Sequence, residues 1–121
     1  EVEQMLRTWR DVAGDGNENG RWVRDIGLPL IEGFTAFWRR DYVTAVERLH
    51  AARHFGFAFG GSNAQRDIIG WTLTEAALRG GQGAFSRALV QERLALKPHS
   101  PVNRGLLARA SASPALQRRA A

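Results

Sequence analysis

The sequence predicts an all-α fold built from antiparallel helix pairs that stack on one another, and three observations carry that expectation. The first is the segment Glu32 to Ala52, EGFTAFWRRDYVTAVERLHAA, in which Gly33 is followed by Asp41-Tyr42, Ala45, Leu49 and Ala52. Small residues let one helix approach the next closely, Asp41-Tyr42 turns the chain, and Val46, Leu49 and Ala52 keep one apolar face. A hairpin of this kind cannot bury its apolar faces alone, so it implies a stack. The second observation is that apolar residues recur at helical spacing along most of the chain. The third is that no segment shows the alternation of a half-buried strand.

Taken in order, Val2, Met5, Leu6, Trp9, Val12 and Ala13 fall on one face and predict a first helix from Val2 to Ala13. The run from Gly14 to Gly20 has the composition of a turn or linker. Its Asp15-Gly16-Asn17 resembles part of a calcium loop, but the regular oxygen ligands and closing Glu of such a loop are missing. Trp22 to Ile26 is expected to form a separate turn. Pro29 is tolerated in a first turn, so the next helix is expected from Pro29 to Arg40, with Leu30, Ile31, Phe34, Phe37 and Trp38 as its apolar surface. A partner helix from Asp41 or Tyr42 should reach Phe55 and stop at Gly56. Phe57 to Gly61 reads as a connector.

Ser62 with Gln65 three residues on fits a capping box, which opens a helix running to Arg79 and ending at Gly80-Gly81. Ala84 to Leu96 is the following helix, presenting Phe85, Ala88, Leu89 and Leu96 and closed by Pro98. Ser100 caps a last helix with Pro101 at its first position, through Val102, Leu106, Leu107 and Ala110. From Ser111 to Ala121 the composition is that of a fraying tail. The core is expected to form around Phe34, Phe37, Val46, Leu49, Trp71, Leu73, Leu89 and Leu94. Trp9, Trp38 and Phe85 are read as further core fillers.

Length and composition narrow the class. The 121 residues suffice for a single domain. With 44% hydrophobic and 24% charged residues, wholesale disorder is not expected. No apolar run approaches the ~20 residues that span a bilayer, so no membrane association is expected. The chain has no Cys, hence no disulfide and no thiol chemistry, and the cytoplasm is the expected location. Glu1 is not an initiator Met and an amphipathic helix begins at once, so the chain reads as a fragment of a longer protein. Charge is uneven. Residues 1–60 carry 8 Arg against 9 acids, whereas residues 61–121 carry 9 Arg and Lys against 3 acids. The aromatics are not interleaved with the Arg residues as a nucleic-acid platform requires, so a nucleic-acid partner is not expected.

Gly33, Asp41-Tyr42, Ala45, Leu49 and Ala52 resemble the small, turn and bulky positions of a tetratricopeptide repeat. Leu94-Ala95-Leu96-Lys97-Pro98 resembles the end of a second repeat, with Thr74 and Ser86 where Gly33 and Ala45 stand in the first. Ala45 and Ser86 are 41 residues apart, against the ~34 of the regular repeat, and the connector accounts for the excess. A closer resemblance, over about residues 22–110, is to the C-terminal part of the tetratricopeptide repeat protein 38 family. It is carried by Gly27-Leu28-Pro29, by Asp41-Tyr42 with Ala45-Val46, by Gly60-Gly61-Ser62-Asn63-Ala64-Gln65-Arg66-Asp67 and by Glu92 to Pro101. That resemblance implies a right-handed tetratricopeptide-like superhelix, the last portion of a longer stack, and supplies no catalytic residues.

Candidate site residues are few. Gly60 and Gly61 lead into a helix start where free N–H groups and the dipole favour an anion, with Arg66 in the first turns. The preferred reading is structural: Ser62 and Gln65 cap the helix, and Arg66 and Asp67 pair with neighbouring helices. His50 and His54 lie four apart on one helix, a spacing that places two imidazoles on one side, and Glu47 one turn before makes a three-ligand site conceivable, but the motif lacks an acidic partner of its own. Asp67 and Glu75 lie two helical turns apart without a pocket between them. No metal or cofactor is expected.

These features support a non-enzymatic scaffold that holds a protein or peptide partner. The alternative is an anion-binding or enzymatic domain that uses Ser62, Gln65, Arg66 and Asp67 with His50 or His54. The apolar stripe Val2, Met5, Leu6 and Trp9 is expected to find either its own core or a second copy, as a weak homodimer.

Overall fold

The computed structural model describes residues 2–53 and 63–112, the side chains of residues 2, 19, 22 and 63–66 excepted. Among these residues all regular structure is helical: α1 (Val2–Ala13), α2 (Glu18–Trp22), a π turn (Val23–Gly27), α3 (Leu28–Trp38), α4 (Tyr42–Ala52), α5 (Asn63–Arg79), α6 (Gly83–Leu96) and α7 (Pro101–Ala112). The chain divides into two compact units, Glu1–Leu73 and Thr74–Ala121, with the boundary inside α5. The expected connector, the end of α4 beyond Arg53 and the tail beyond Ala112 lie outside the described residues.

In the first unit α1 packs against α2, the π turn and α3. Leu6 and Ala13 are buried and Trp9 is half-buried, so part of the N-terminal apolar stripe is covered within its own unit, while Met5 stays exposed. Arg24 donates from Nη1 to the Ala13 carbonyl at 2.9 Å, which satisfies one acceptor at the end of α1.

The expected linker before Trp22 is shorter than its composition suggested. Asn17 caps α2 by accepting the Gly20 N–H at 2.7 Å, so the helix begins at Glu18 and Gly20 is buried within it. A Cβ on Gly20 would lie 2.3 Å from the Asp15 carbonyl oxygen, so only glycine fits this corner. The segment expected to be a separate turn is instead a π-helical stretch that runs directly into α3. Pro29 supplies the reason: it has no N–H to donate four residues back and its ring crowds that carbonyl, a strain that a wider turn just ahead of it absorbs.

α3 and α4 fold back on each other. Gly33, Ala36, Ala45, Val46, Leu49 and Ala52 are buried. Phe34 and Phe37 are only half-buried, and Trp38, read from the sequence as a core filler, is 83% exposed. Trp38 is the last residue of α3 and lies roughly 140° around the helix from Gly33, at about 100° per residue. It therefore points away from the α4 contact.

The turn between α3 and α4 recurs between α5 and α6, 41 residues later. Arg39, Arg40 and Asp41 donate their N–H groups to the carbonyls of Thr35, Phe37 and Ala36, at 3.0, 3.0 and 2.8 Å. Gly80, Gly81 and Gln82 donate to Ala76, Leu78 and Ala77, at 2.8, 3.3 and 3.0 Å. Arg40 and Gly81 both take left-handed backbone, with φ of 62° and 75°. Asp41 and Gln82 then begin the next helix with nearly equal dihedrals, φ −89° and ψ 78° against φ −86° and ψ 70°. This is a Schellman ending whose last residue doubles as the next N-cap. Gly33 and Thr74, Ala36 and Ala77, Ala45 and Ser86, and Leu49 and Val90 are buried in matching positions.

In the second unit α6 packs against α7. Ser100 caps α7 as its position predicts, its hydroxyl accepting the Asn103 N–H at 3.2 Å. Asn103 is buried and staples the corner: its Nδ2 donates to the Arg93 and Lys97 carbonyls, while its Oδ1 accepts from Arg93 Nε at 2.9 Å. Leu89 is buried and Leu94 half-buried, but Leu96 at the end of α6 is 83% exposed.

Candidate functional site

Of the six residues that the sequence nominates, the side chains of His50 and Asp67 are described, and both are exposed, on α4 and α5. Ser62 and His54 lie outside the described residues, as do the side chains of Gln65 and Arg66. Among the described residues no three His, Cys, Asp or Glu side chains gather closely enough to hold a metal ion.

The charged cluster that the fold does assemble is centred on Glu75. This residue follows Thr72, Leu73 and Thr74 and precedes Ala76 and Ala77, all of them buried, and its own side chain is 4% exposed. Arg109 of α7 meets it with both terminal guanidinium nitrogens, Nη1 on Oε1 and Nη2 on Oε2, the latter at 2.9 Å. Arg79, one turn further along α5, donates from Nε to Oε2 at 3.1 Å. Burial pushes the Glu75 carboxyl up, but the hydrogen bonds and charges of Arg109 and Arg79 outweigh it and hold the group below its ordinary value. The same pairing, against some desolvation, raises Arg109.

This geometry decides what the cluster can do. Both carboxylate oxygens are occupied by donors and the group resists protonation, so Glu75 is unsuited to act as a general base or acid near neutrality. It acts as a clamp between α5 and α7, with the outer faces of Arg79 and Arg109 half in water. Sequence reasoning paired Glu75 with Asp67, two turns away, and missed Arg109, 34 residues downstream. The legible signal was Glu75 followed by Arg79 at i,i+4, inside an otherwise uncharged stretch.

No protein-family model matches this chain, and no solved structure matches it. No helix among the described residues is long and apolar enough to cross a membrane.

Proposed function

We propose that this chain is part of a tetratricopeptide-like helical-repeat scaffold that holds a protein or peptide segment and performs no chemistry of its own. The observation that supports this reading best is the recurring turn: the same three hydrogen bonds, the same left-handed residue and the same N-cap geometry, 41 residues apart, with buried small residues in register. Repetition of one helix–turn–helix unit is the mark of architectures whose exposed surfaces serve binding. The right-handed stack and the kinship with the tetratricopeptide repeat protein 38 family belong to this proposal. The Glu75 clamp fits it as well, since its charged groups are spent on holding helices together.

The test is a selection of peptides from a phage-displayed random dodecapeptide library on the immobilised chain. Enrichment of related sequences that bind the chain in solution supports a scaffold. A selection that enriches nothing, beside a library of metabolites in which one is bound tightly, would overturn it.

A further inference from the structure

The two copies of the repeated turn serve as controls for each other. Arg79-Gly80-Gly81 closes the second helix with the residue that takes the left-handed position without strain, a glycine. The first copy carries Trp38-Arg39-Arg40 instead. Arg40 holds φ 62° with a full side chain, a conformation that costs the fold and that glycine would adopt freely. Trp38 is 83% exposed, a share it matches with Leu96 alone among the described exposed large apolar residues. Val43, across the turn in the first turn of α4, is 55% exposed. Phe37 and Tyr42, one residue before each of them in the chain, meet edge to face at 5.9 Å across the turn and brace it.

From these features we infer that the α3–α4 turn is a docking surface for an acidic peptide segment carrying an apolar side chain. The inference rests on the scaffold reading above and names the partner's chemistry. Trp and Arg are the residue types that dominate binding energy at interfaces, and here they stand on a braced turn. Arg40 is exposed, and among the described residues no carboxylate pairs with it. Arg39 is paired with Glu3, but both side chains are more than half exposed, so an incoming carboxylate can exchange with Glu3. The Asp41 carboxylate is engaged at the start of α4, where it accepts the Thr44 N–H at 3.3 Å. Carboxylates of the partner would meet Arg39 and Arg40, and its apolar side chain would lie on Trp38 and Val43. A membrane surface fits less well, since insertion needs a continuous apolar helix face. Single-stranded nucleic acid needs a succession of aromatic platforms.

The experiment uses clones enriched from the random dodecapeptide library, measured against the chain, Trp38→Ser and Arg40→Gly, with thermal melts to verify folding. Clones rich in Asp or Glu with an apolar residue, and binding weakened at least tenfold by each substitution, are expected. Arg40→Gly keeps the turn, so its loss of binding cannot be ascribed to unfolding. Enriched clones that bind both variants as tightly as the parent would overturn this site while leaving the scaffold reading standing. A selection that enriches nothing would overturn this site, and tight binding of a metabolite beside it would overturn the scaffold reading as well. Trp38-dependent binding to phosphatidylserine vesicles or to polyuridine, without peptide binding, would overturn the peptide assignment in favour of a membrane or a nucleic acid.

Discussion

The backbone of Gly33 lies so close to Leu49 that a Cβ on it would sit 2.7 Å from both Cγ and Cδ2 of that leucine. Leu49 is fully buried, and the Arg48 Cβ, 3.2 Å from the same point, closes the other side. The contact is what lets α3 and α4 pack backbone to side chain. Gly33→Ala should therefore destabilise by roughly 1–3 kcal/mol through overpacking. Leu49→Ala should cost about 2–5 kcal/mol through the cavity it leaves. In the double variant the added methyl occupies part of that cavity, so its loss of stability should fall short of the sum of the two single losses by at least about 0.5 kcal/mol. Urea titrations of the four proteins measure this, and strict additivity would mean the contact does not exist.

Glu75→Gln should lower stability by roughly 3 kcal/mol, the low end for breaking a buried ion pair, because Arg79 and Arg109 are half-exposed and recover water. The sign with pH follows from the depressed folded-state value. The unfolded chain takes up a proton at a higher pH than the folded one, so the contribution is complete above the unfolded value of about 4.3 and fades as pH falls toward the lower folded value. Melting temperatures of the parent and Glu75→Gln should thus differ most near neutrality and converge in acid. A gap that widened below pH 4 would contradict the assignment.

The repeated turn yields a mirrored pair of substitutions. Arg40→Gly should raise stability by about 1 kcal/mol by relieving left-handed strain, and Gly81→Ala should lower it by about the same amount. Both are read as shifts of the urea midpoint at constant slope. Stabilisation by Arg40→Gly together with loss of peptide binding would also separate what the turn does for folding from what it does for recognition.

Gly20→Ala should destabilise by roughly 2–3 kcal/mol, since the new Cβ would lie 2.3 Å and 2.8 Å from the backbone oxygens of Asp15 and Val12, which cannot swing aside as a side chain can. Gly16, four residues earlier, has nothing within 4 Å of such an atom. Gly16→Ala should leave the thermal melt nearly unchanged. Equal effects from the two would show that the α1–α2 corner is looser than described.

Much of the helical plan is local and was legible in the amino-acid order. The stripe from Val2 to Ala13 has the period of a helix, and α1 has those bounds. Asp41 and Ser100 are short polar side chains at helix starts, and each accepts an N–H three residues on. Gly33, Ala45 and Leu49 mark a close helix pair because small and bulky residues alternate at the right spacing, and burial follows that pattern. All these signals act within about one or two turns of helix. Of the six nominated site residues, the sequence could supply types and spacings, but their surroundings depend on neighbours far along the chain, and the two described side chains, His50 and Asp67, face water.

What only the tertiary structure decided has the opposite character. Glu75 and Arg109 are 34 residues apart, and no local rule brings a guanidinium onto a particular buried carboxylate. Trp38 was as apolar as any core residue, yet its angular position at the end of α3 leaves it in solvent. Gly20 belonged by composition to a linker and is instead held where two backbone carbonyls leave no room for a side chain. Periodicity, capping and turn chemistry are properties of neighbouring residues, so the sequence determined where most helices lie and fold back, α2 and the π turn excepted. Which charges meet, which aromatic stays outside and where a methyl group cannot fit depend on the packing of distant segments, and that is settled only when the helices are in place.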